Sequence, residues 1–148
     1  MKDLLEYYQS LLMKSYKNIL AIPSSELELK NDTSKWSKKE IIGHLIDSAI
    51  NNLQRFTEVQ FKKQPFIINS YDQNELVKAN YYQFEDAEAL VQLWFYINKR
   101  ILSVVSNLST KELEFKVVLS DKKTESLEFL IKDYILHLEH HLNQIIDE

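Results

Sequence analysis

The sequence predicts an all-α protein, a four-helix bundle in a single domain that spans residues 1–148. The chain contains one glycine, Gly43, and two prolines, whereas hairpins and tight turns depend on glycine for positive φ. Four long stretches repeat apolar residues at helical spacing. We therefore expect long helices joined by a few connections.

Four amphipathic stretches define the long helices of this prediction. The first should end ahead of Pro23, because proline interrupts a helix. The second begins with the sequence SKKE, in which Ser37 caps the amide of Glu40 while Glu40 reaches back to complete a capping box. The predicted helices span Asp3–Ala21, Ser37–Phe61, Asp86–Asn107 and Ser126 to the C-terminus.

The connections between these helices are long enough to contain structure of their own. A short extra helix is expected from Asp72, which provides an N-cap, to Asn80. The last connection should begin with a helical turn at Ser109 and continue as an extended segment over Phe115–Leu119. Connections of this length are uncommon in a compact domain unless they line a site, and they permit helices that do not simply alternate in direction.

Composition excludes several classes of function. The chain has no cysteine, which excludes a disulfide framework, a thiolate metal cluster and a cysteine nucleophile. The net charge of −4 and the scattered lysines provide no basic field for nucleic acid. The N-terminus has no apolar signal-peptide core, and no stretch approaches the roughly 18 apolar residues of a membrane span. We expect a cytoplasmic protein whose partners include neither nucleic acid nor a membrane.

Three of the four histidines lie within five positions near the C-terminus, in the sequence HLEHH. His137 and His141 are four residues apart, so on a helix their side chains project from one face, one turn apart. At about 100° per residue, both fall at the edge of the apolar arc of the last helix, whereas His140 points towards solvent. The spacing lets two imidazoles converge on one ion, although a lone pair of this kind is usually solvated.

The fourth histidine, His44, lies on the flank of the apolar face of the second long helix. Ser48, Asn51 and Arg55 continue a polar stripe from it. Such a stripe either borders a polar pocket or forms the solvated edge of the helix, and an isolated histidine is more often a hydrogen-bonded structural residue than a ligand. The coincidence favours a site, because the inward-facing histidines of two helices together make a set of three.

Two segments resemble the signature helices of the DinB/YfiT-like family. Residues 35–56, KWSKKEIIGHLIDSAINNLQRF, resemble its second helix, with Trp-Ser, an acidic residue, a ligand histidine and an aspartate three residues later. Residues 133–145, DYILHLEHHLNQI, resemble its closing HxxxH helix. The segments SYDQNELV and LSTKELE also lie where family members carry similar sequences, so the resemblance covers essentially the whole chain.

The resemblance implies a four-helix bundle of up-down-down-up connectivity that holds a divalent metal through three histidines, here His44, His137 and His141. Helical phase selects the same three residues independently. Three neutral imidazoles leave at least one coordination position for water or a thiol. Zinc or nickel is the expected metal, and iron, manganese or copper is also compatible.

Further polar residues are candidates to support such a centre. Gln144 could orient a ligand or a bound water, and Asp47 could accept the other ring N–H of a ligand histidine, unless it is a solvated acid. Arg55 could hold a carboxylate of a substrate or pair with Glu58 at i+3. Asn51 belongs to the same polar stripe.

Several aromatic residues have two interpretations. Trp36 and Tyr71 either line the rim of the pocket or pack in the core, and Trp36 fits a hydrophobic staple at the start of the second long helix. Trp94, Phe95 and Tyr96 are consecutive, so one subunit cannot bury all three. Phe95 or Tyr96 is therefore a candidate to seed a homodimer interface.

Characterised members of the family include bacillithiol-dependent S-transferases and a mycothiol-dependent maleylpyruvate isomerase. The resemblance therefore implies a metal-dependent thiol S-transferase or hydrolase-like enzyme, with a small-molecule thiol and an electrophile as partners. Because the chain has no cysteine, the thiol must come from a cosubstrate. A non-enzymatic metal-binding or ligand-binding bundle is the alternative, since no convincing general base accompanies the ligands. A third interpretation is a structural protein with incidental histidines.

Overall fold

The computed structural model describes residues 1–146 and contains the four long helices expected from the sequence. Each begins within one residue of its predicted start. The second ends at Glu58 rather than Phe61, where the side-chain amide of Gln64 donates to the carbonyl of Val59 at 2.9 Å. The elements in chain order are α1 (Lys2–Leu20), α2 (Ser24–Glu28), α3 (Lys38–Glu58), β1 (Phe66–Ile67), α4 (Gln73–Ala79), α5 (Ala87–Ser106), α6 (Thr110–Leu113), β2 (Lys116–Val118), β3 (Thr124–Ser126) and α7 (Leu127–Ile146).

Side-chain caps explain where the helices around the candidate site begin. Ser37 and Glu40 form the predicted capping box of α3, with Glu40 N–H donating to Ser37 Oγ at 3.1 Å and Ser37 N–H donating to Glu40 Oε2 at 2.8 Å. Asp72 accepts from two amides at the start of α4, as predicted. Asp86 accepts from the amide of Ala89 and caps α5. These caps satisfy backbone donors that the first helical turn leaves unpaired.

The short helix α2 was not expected from the sequence, and ion pairs bind it to the start of α3. Lys39 is almost fully buried, and its Nζ lies 3.0 Å from Glu28 Oε1. Lys38 Nζ lies 3.0 Å from Glu26 Oε1. A five-residue helix has little intrinsic stability, so these tertiary contacts account for its formation.

The long helices form a ring in which α1 and α3 each pack against both α5 and α7. Helices α3 and α7 run antiparallel, because His44 early in α3 meets His141 late in α7, while Phe56 near the end of α3 packs against Tyr134. Helices α3 and α5 run parallel, because Gly43 near the start of α3 lies against Tyr82, just ahead of α5, whereas Phe56 near the end of α3 and Asn98 within α5 both contact Tyr134.

Helices α1 and α5 run antiparallel, since Tyr16 late in α1 stacks on Phe95, with ring centroids 4.2 Å apart, whereas Tyr8 early in α1 donates to Asn98, further along α5. These relative directions complete the up-down-down-up arrangement. The long connection from α3 to α5 makes their parallel orientation possible.

A buried polar group fixes the centre of the bundle. Asn98, on α5, is fully buried and accepts hydrogen bonds from Tyr8 at 2.7 Å and Tyr134 at 2.6 Å. Its amide donates to the carbonyl of Trp94 at 2.8 Å. Because each of these polar atoms would be costly to bury alone, the network specifies how α1, α5 and α7 align. Burial raises the pKa of Tyr8 and of Tyr134, so both hydroxyls stay protonated.

A small three-stranded sheet joins the connection that follows α3 to the connection between α6 and α7. The predicted extended segment supplies β2, which pairs in parallel with β1 and antiparallel with β3. Val117 at the centre of β2 is fully buried. Sequence patterns did not predict β1, because a two-residue strand carries no periodicity and its pairing partner lies some fifty residues away.

Two of the three consecutive aromatic residues on α5 are buried, and only Tyr96 is exposed. Trp94 is fully buried, and Phe95 is also buried through its contact with Tyr16. Phe95 is therefore excluded as the seed of an interface, and Tyr96, 63% exposed, is the remaining candidate. Over the described part of the chain, no helix is both long and apolar enough to cross a bilayer.

Candidate metal centre

Three histidines from two helices converge at one point, where His44 is buried and His137 and His141 are half-buried. His44 comes from the second turn of α3, and His137 and His141 come from successive turns of α7. One ring nitrogen from each lies within 4.8 Å of the others. The Nε2 atoms of His44 and His137 are 3.3 Å apart. We refer to these residues as the three-histidine cluster.

The cluster fits a divalent ion by spacing and by chemistry. Two nitrogens bound at 2.0–2.1 Å in a tetrahedral site are about 3.3 Å apart, which agrees with the separation of His44 Nε2 and His137 Nε2. Two ring nitrogens that both present lone pairs do not attract each other at this distance. A cation between them attracts the lone pairs of all three imidazoles. The role of the three residues as metal ligands remains a prediction.

Burial keeps the cluster in the neutral form that metal binding requires. Burial, together with the neighbouring His141 and His137, lowers the pKa of His44 to about 4. Burial and the proximity of His141 lower the pKa of His137 to about 4, against a smaller opposing effect of Asp133. Burial also lowers the pKa of His141. At neutral pH these rings therefore present lone pairs rather than positive charges.

Gln144 orients His141. Its Oε1 lies 2.8 Å from His141 Nδ1. An amide oxygen can only accept, so this contact places the ring proton on Nδ1 and leaves Nε2 of His141 free to bind an ion. The sequence predicted that Gln144 orients a ligand histidine or a bound water; the histidine that it contacts is His141, and its role beside a metal stays a prediction. Gln144 Nε2 also lies 3.3 Å from Nε2 of His140, which is exposed as expected.

Trp36 covers the cluster on the α3 side. Its ring is tilted over that of His44, with centroids 5.0 Å apart. Trp36, Asn74, His141 and Gln144 also line an open depression of about 490 Å³, which we call the histidine groove. Trp36 is half-buried and thus contributes both to the packing around α3 and to the rim, the two interpretations left open by the sequence.

Asp47 does not have the predicted contact with a ligand histidine. Its Oδ1 accepts from Tyr82 OH at 2.6 Å and from Asn80 Nδ2 at 3.0 Å. Among residues 1–146, neither Asp47 Oδ2 nor His44 Nδ1 has a hydrogen-bond partner. Asp47 is buried rather than solvated, and burial raises its pKa against the opposing effect of both donors.

Asn80 and Tyr82 were missed because they lie in the α4–α5 connection, which sequence patterns could not place. The one sequence feature that could have indicated the contact of Tyr82 with α3 is Gly43. A Cβ on Gly43 would lie 2.1 Å from Tyr82 Cδ2, so the one glycine of the chain allows the tyrosine ring to lie directly on α3 and its hydroxyl to reach Asp47.

The other polar residues predicted around the centre bind elsewhere. Asn51 donates to the backbone carbonyl of Asp47 at 2.9 Å. Arg55 donates to the carbonyl of Asn69 at 2.6 Å, and its guanidinium lies 5.5 Å from the centre of the Tyr71 ring.

The predicted pairing of Arg55 with Glu58 is wrong, since Glu58 binds Lys62 at 2.6 Å. Arg55 and Tyr71 together join the α3–α4 connection to α3. No described contact of Asn51 or Arg55 reaches the three-histidine cluster.

The family model of the DinB superfamily matches residues 13–145. The chain belongs to the DinB superfamily. No curated protein sequence matches the chain at a significant level.

Three solved structures share the fold of this chain at low sequence identity. YfiT from Bacillus subtilis, described as a probable metal-dependent hydrolase with an unusual four-helix bundle topology, is 19% identical with a TM-score of 0.83, over 99% of this chain and 86% of that one. A mycothiol-dependent maleylpyruvate isomerase is 14% identical with a TM-score of 0.66, over 95% of this chain and 60% of that one. A variant of a mycothiol-dependent maleylpyruvate isomerase is 12% identical with a TM-score of 0.72, over 90% and 55%.

Replacing Gln144 with alanine should weaken metal binding by about 10-fold to 100-fold without abolishing it, because outer hydrogen-bond partners of ligand histidines contribute that much. The variant loses the group that holds His141 in one tautomer. Competition with a chromogenic chelator measures the affinity. Asn143→Ala, at the exposed neighbouring position, is the matched control and should retain wild-type affinity. Equal affinities of the two variants would contradict this role.

Stability of the metal-free protein should rise between about pH 4 and pH 6.5. The folded-state pKa values of His44 and His137 are about 4, below their ordinary value of 6.5. The unfolded chain therefore binds more protons in this window, so stability is fully present above pH 6.5 and falls as pH falls towards 4. Urea unfolding at a series of pH values measures this dependence. The double variant His44→Gln, His137→Gln should show a shallower slope, and an unchanged slope would contradict the assignment.

Proposed function

We propose that this DinB-superfamily protein is a divalent-metal-dependent enzyme of the thiol S-transferase or hydrolase-like type. The observation that carries the proposal is the convergence of three neutral imidazoles, from His44, His137 and His141, beside an open groove. Three neutral ligands at an accessible position are typical of catalytic rather than structural metal sites.

The residues of the centre have distinct roles in this proposal. The three-histidine cluster would hold the ion, with zinc or nickel foremost and iron, manganese or copper also compatible. Gln144 holds His141 in the tautomer that presents Nε2. Trp36 shields one face of the His44 ring from water. When bound, a divalent ion would supply a Lewis acid with room for a water or a thiol.

Two features support thiol chemistry and hydrolysis as the alternatives to test. The relatives of similar fold are described as a probable metal-dependent hydrolase and a mycothiol-dependent isomerase. This chain contains no cysteine, so a thiol nucleophile must enter as a small-molecule cosubstrate and attack a separate electrophile. The cytoplasmic location, the single-domain organisation and a homodimer seeded by Tyr96 stay predictions.

The experiment is a turnover screen with defined metal content. Protein loaded with zinc or with nickel is assayed with a panel of low-molecular-weight thiols against an aromatic chloride, and separately with a panel of esters and amides. The proposal expects turnover that disappears with a chelator, returns on adding metal and is absent in His44→Ala. Turnover that persists in the chelated protein and in His44→Ala would contradict it.

A non-enzymatic metal-binding bundle is the second candidate. Within the described residues, the cluster has no carboxylate bound to it that could act as a general acid or base, and this favours the second candidate. In residues 1–146, no carboxylate forms a hydrogen bond or ion pair with the three histidines. Asp47 accepts hydrogen bonds from Tyr82 and Asn80 instead. Stoichiometric metal binding with no turnover across the full thiol, ester and amide panels would support this candidate.

A further inference from the structure

A second depression adjoins the histidine groove and differs from it in charge. It has a volume of about 450 Å³ and shares Ser34, Lys35, Trp36 and Asn74 with the histidine groove. We call it the lysine groove and define it by Lys35 and Trp36, which it shares with the histidine groove, and by Lys78, Tyr81 and Phe84, which line it alone. The shared residues make the two grooves continuous around Trp36, whose ring lies on His44.

The lysine groove is locally positive in a chain whose net charge is −4. Three lysines and one glutamate line it. Lys30 is neutralised by Glu40, with Nζ and Oε2 2.8 Å apart. Lys35 and Lys78 form no ion pair with any residue of the described chain. Two uncompensated positive charges therefore face one concave surface, which favours an anion.

Exposed aromatic rings form the other wall of the lysine groove. Tyr81 is 66% exposed and Phe84 is 84% exposed, which is high for side chains of this size. Such rings recognise planar or apolar bodies when a ligand covers them. An ion-binding surface for inorganic anions would need no such wall.

Hydrogen bonds on either side of Tyr81 hold it in a strained, exposed conformation. Its φ of 53° and ψ of 33° lie in the left-handed region, which non-glycine residues rarely adopt. Asn80 and Tyr82, on either side of it, both donate to the same oxygen of Asp47. Asp47 thus fixes the chain before and after Tyr81 and leaves the Tyr81 side chain directed away from the core.

We propose that the lysine groove binds a small organic anion with a planar apolar body, its charge near Lys35 and Lys78 and its body on Tyr81 and Phe84. The inference rests on the proposed function, because it assigns the lysine groove to the substrate or cosubstrate that reaches the neighbouring three-histidine cluster. A ligand that spans both grooves would pass Trp36.

The test compares 2-naphthoate with 2-naphthamide, which has a similar shape and no charge. Binding is measured by calorimetry or ligand fluorescence, first with the metal-free protein and then with the zinc-loaded protein. We expect the metal-free protein to bind naphthoate about tenfold or more tightly than naphthamide, since hydrogen bonds to a charged group are stronger than those to a neutral one. Raising the salt concentration should reduce this preference.

Matched variants attribute the preference to these residues. Lys35→Gln, Lys78→Gln should lose most of the preference for naphthoate, whereas Lys14→Gln, Lys116→Gln changes the net charge equally at exposed positions outside the groove and should keep it. In a separate variant, Tyr81→Ala, Phe84→Ala should weaken both probes by a similar factor. Equal affinities of the two probes, or equal losses in the two lysine variants, would overturn the proposal.

The metal-free and zinc-loaded measurements separate this inference from the proposed function. The inference would be overturned if the preference for naphthoate appears only in the zinc-loaded protein and is unchanged in both lysine double variants. The carboxylate would then be binding the ion. A lysine-dependent preference in a protein that fails to bind metal would support the inference and contradict the proposed function.

Discussion

His44→Ala is expected to eliminate stoichiometric metal binding. Loss of an outer hydrogen-bond partner costs about 10-fold to 100-fold in affinity, so loss of one of three direct ligands should exceed about 100-fold. His44 is also the only member of the cluster on α3, so its removal leaves two ligands on one helix. Elemental analysis after dialysis against metal-free buffer measures the result as metal bound per chain.

Two controls distinguish ligand loss from misfolding. His140→Ala removes an exposed histidine outside the cluster and should keep full metal content. Because a ligand that binds only the native state stabilises it by RT ln(1 + L/Kd), with L the free ligand concentration, added zinc should raise the Tm of wild type and of His140→Ala but not of His44→Ala. Undiminished metal content in a folded His44→Ala protein would refute the proposed centre.

Gly43→Ala is expected to destabilise the protein by about 1–3 kcal/mol, although the same change in an ordinary helix interior stabilises by up to about 1 kcal/mol. The new Cβ would lie 2.1 Å from Tyr82 Cδ2. The ring cannot easily retreat, because Tyr82 is buried and its hydroxyl is bound to Asp47 at 2.6 Å. Urea unfolding monitored by circular dichroism measures the free energy of unfolding.

A double-mutant cycle identifies the cause of the loss. In a Tyr82→Ala background the overlapping ring is gone, so Gly43→Ala should become neutral or stabilising by up to about 1 kcal/mol. In a Tyr82→Phe background the ring remains and only the bond to Asp47 is lost, so Gly43→Ala should still destabilise. If Gly43→Ala costs the same free energy in all three backgrounds, the Gly43–Tyr82 contact is not the reason.

Local sequence signals predicted the long helices and their starting residues correctly. Ser37 with Glu40 and Asp72 are capping residues whose effect depends on neighbours within three positions. The failures involve partners far along the chain. Helix α2 depends on Lys39 and its ion pair with Glu28, strand β1 depends on pairing with β2, and neither interaction leaves a periodic pattern in the sequence.

The candidate site divides in the same way. Helical phase placed His137 and His141 on one face of α7 and excluded His140, because side-chain direction within one helix follows from residue number alone. It also placed Gln144 on the same side of α7 as His137, and in the structure Gln144 contacts His141. Phase could not decide what Asp47 contacts, because its partners Asn80 and Tyr82 belong to an irregular connection.

The sequence by itself therefore determined the all-α class, the long helices and the three histidines that can meet, since these follow from spacing along single helices and from a resemblance to one family. Only the tertiary structure decided that their ring nitrogens lie within 4.8 Å of one another, that Asp47 binds Tyr82, and that Lys35 and Lys78 line one groove. Each of these depends on how segments distant in sequence pack together. Packing of that kind is set by the whole core and not by any local pattern.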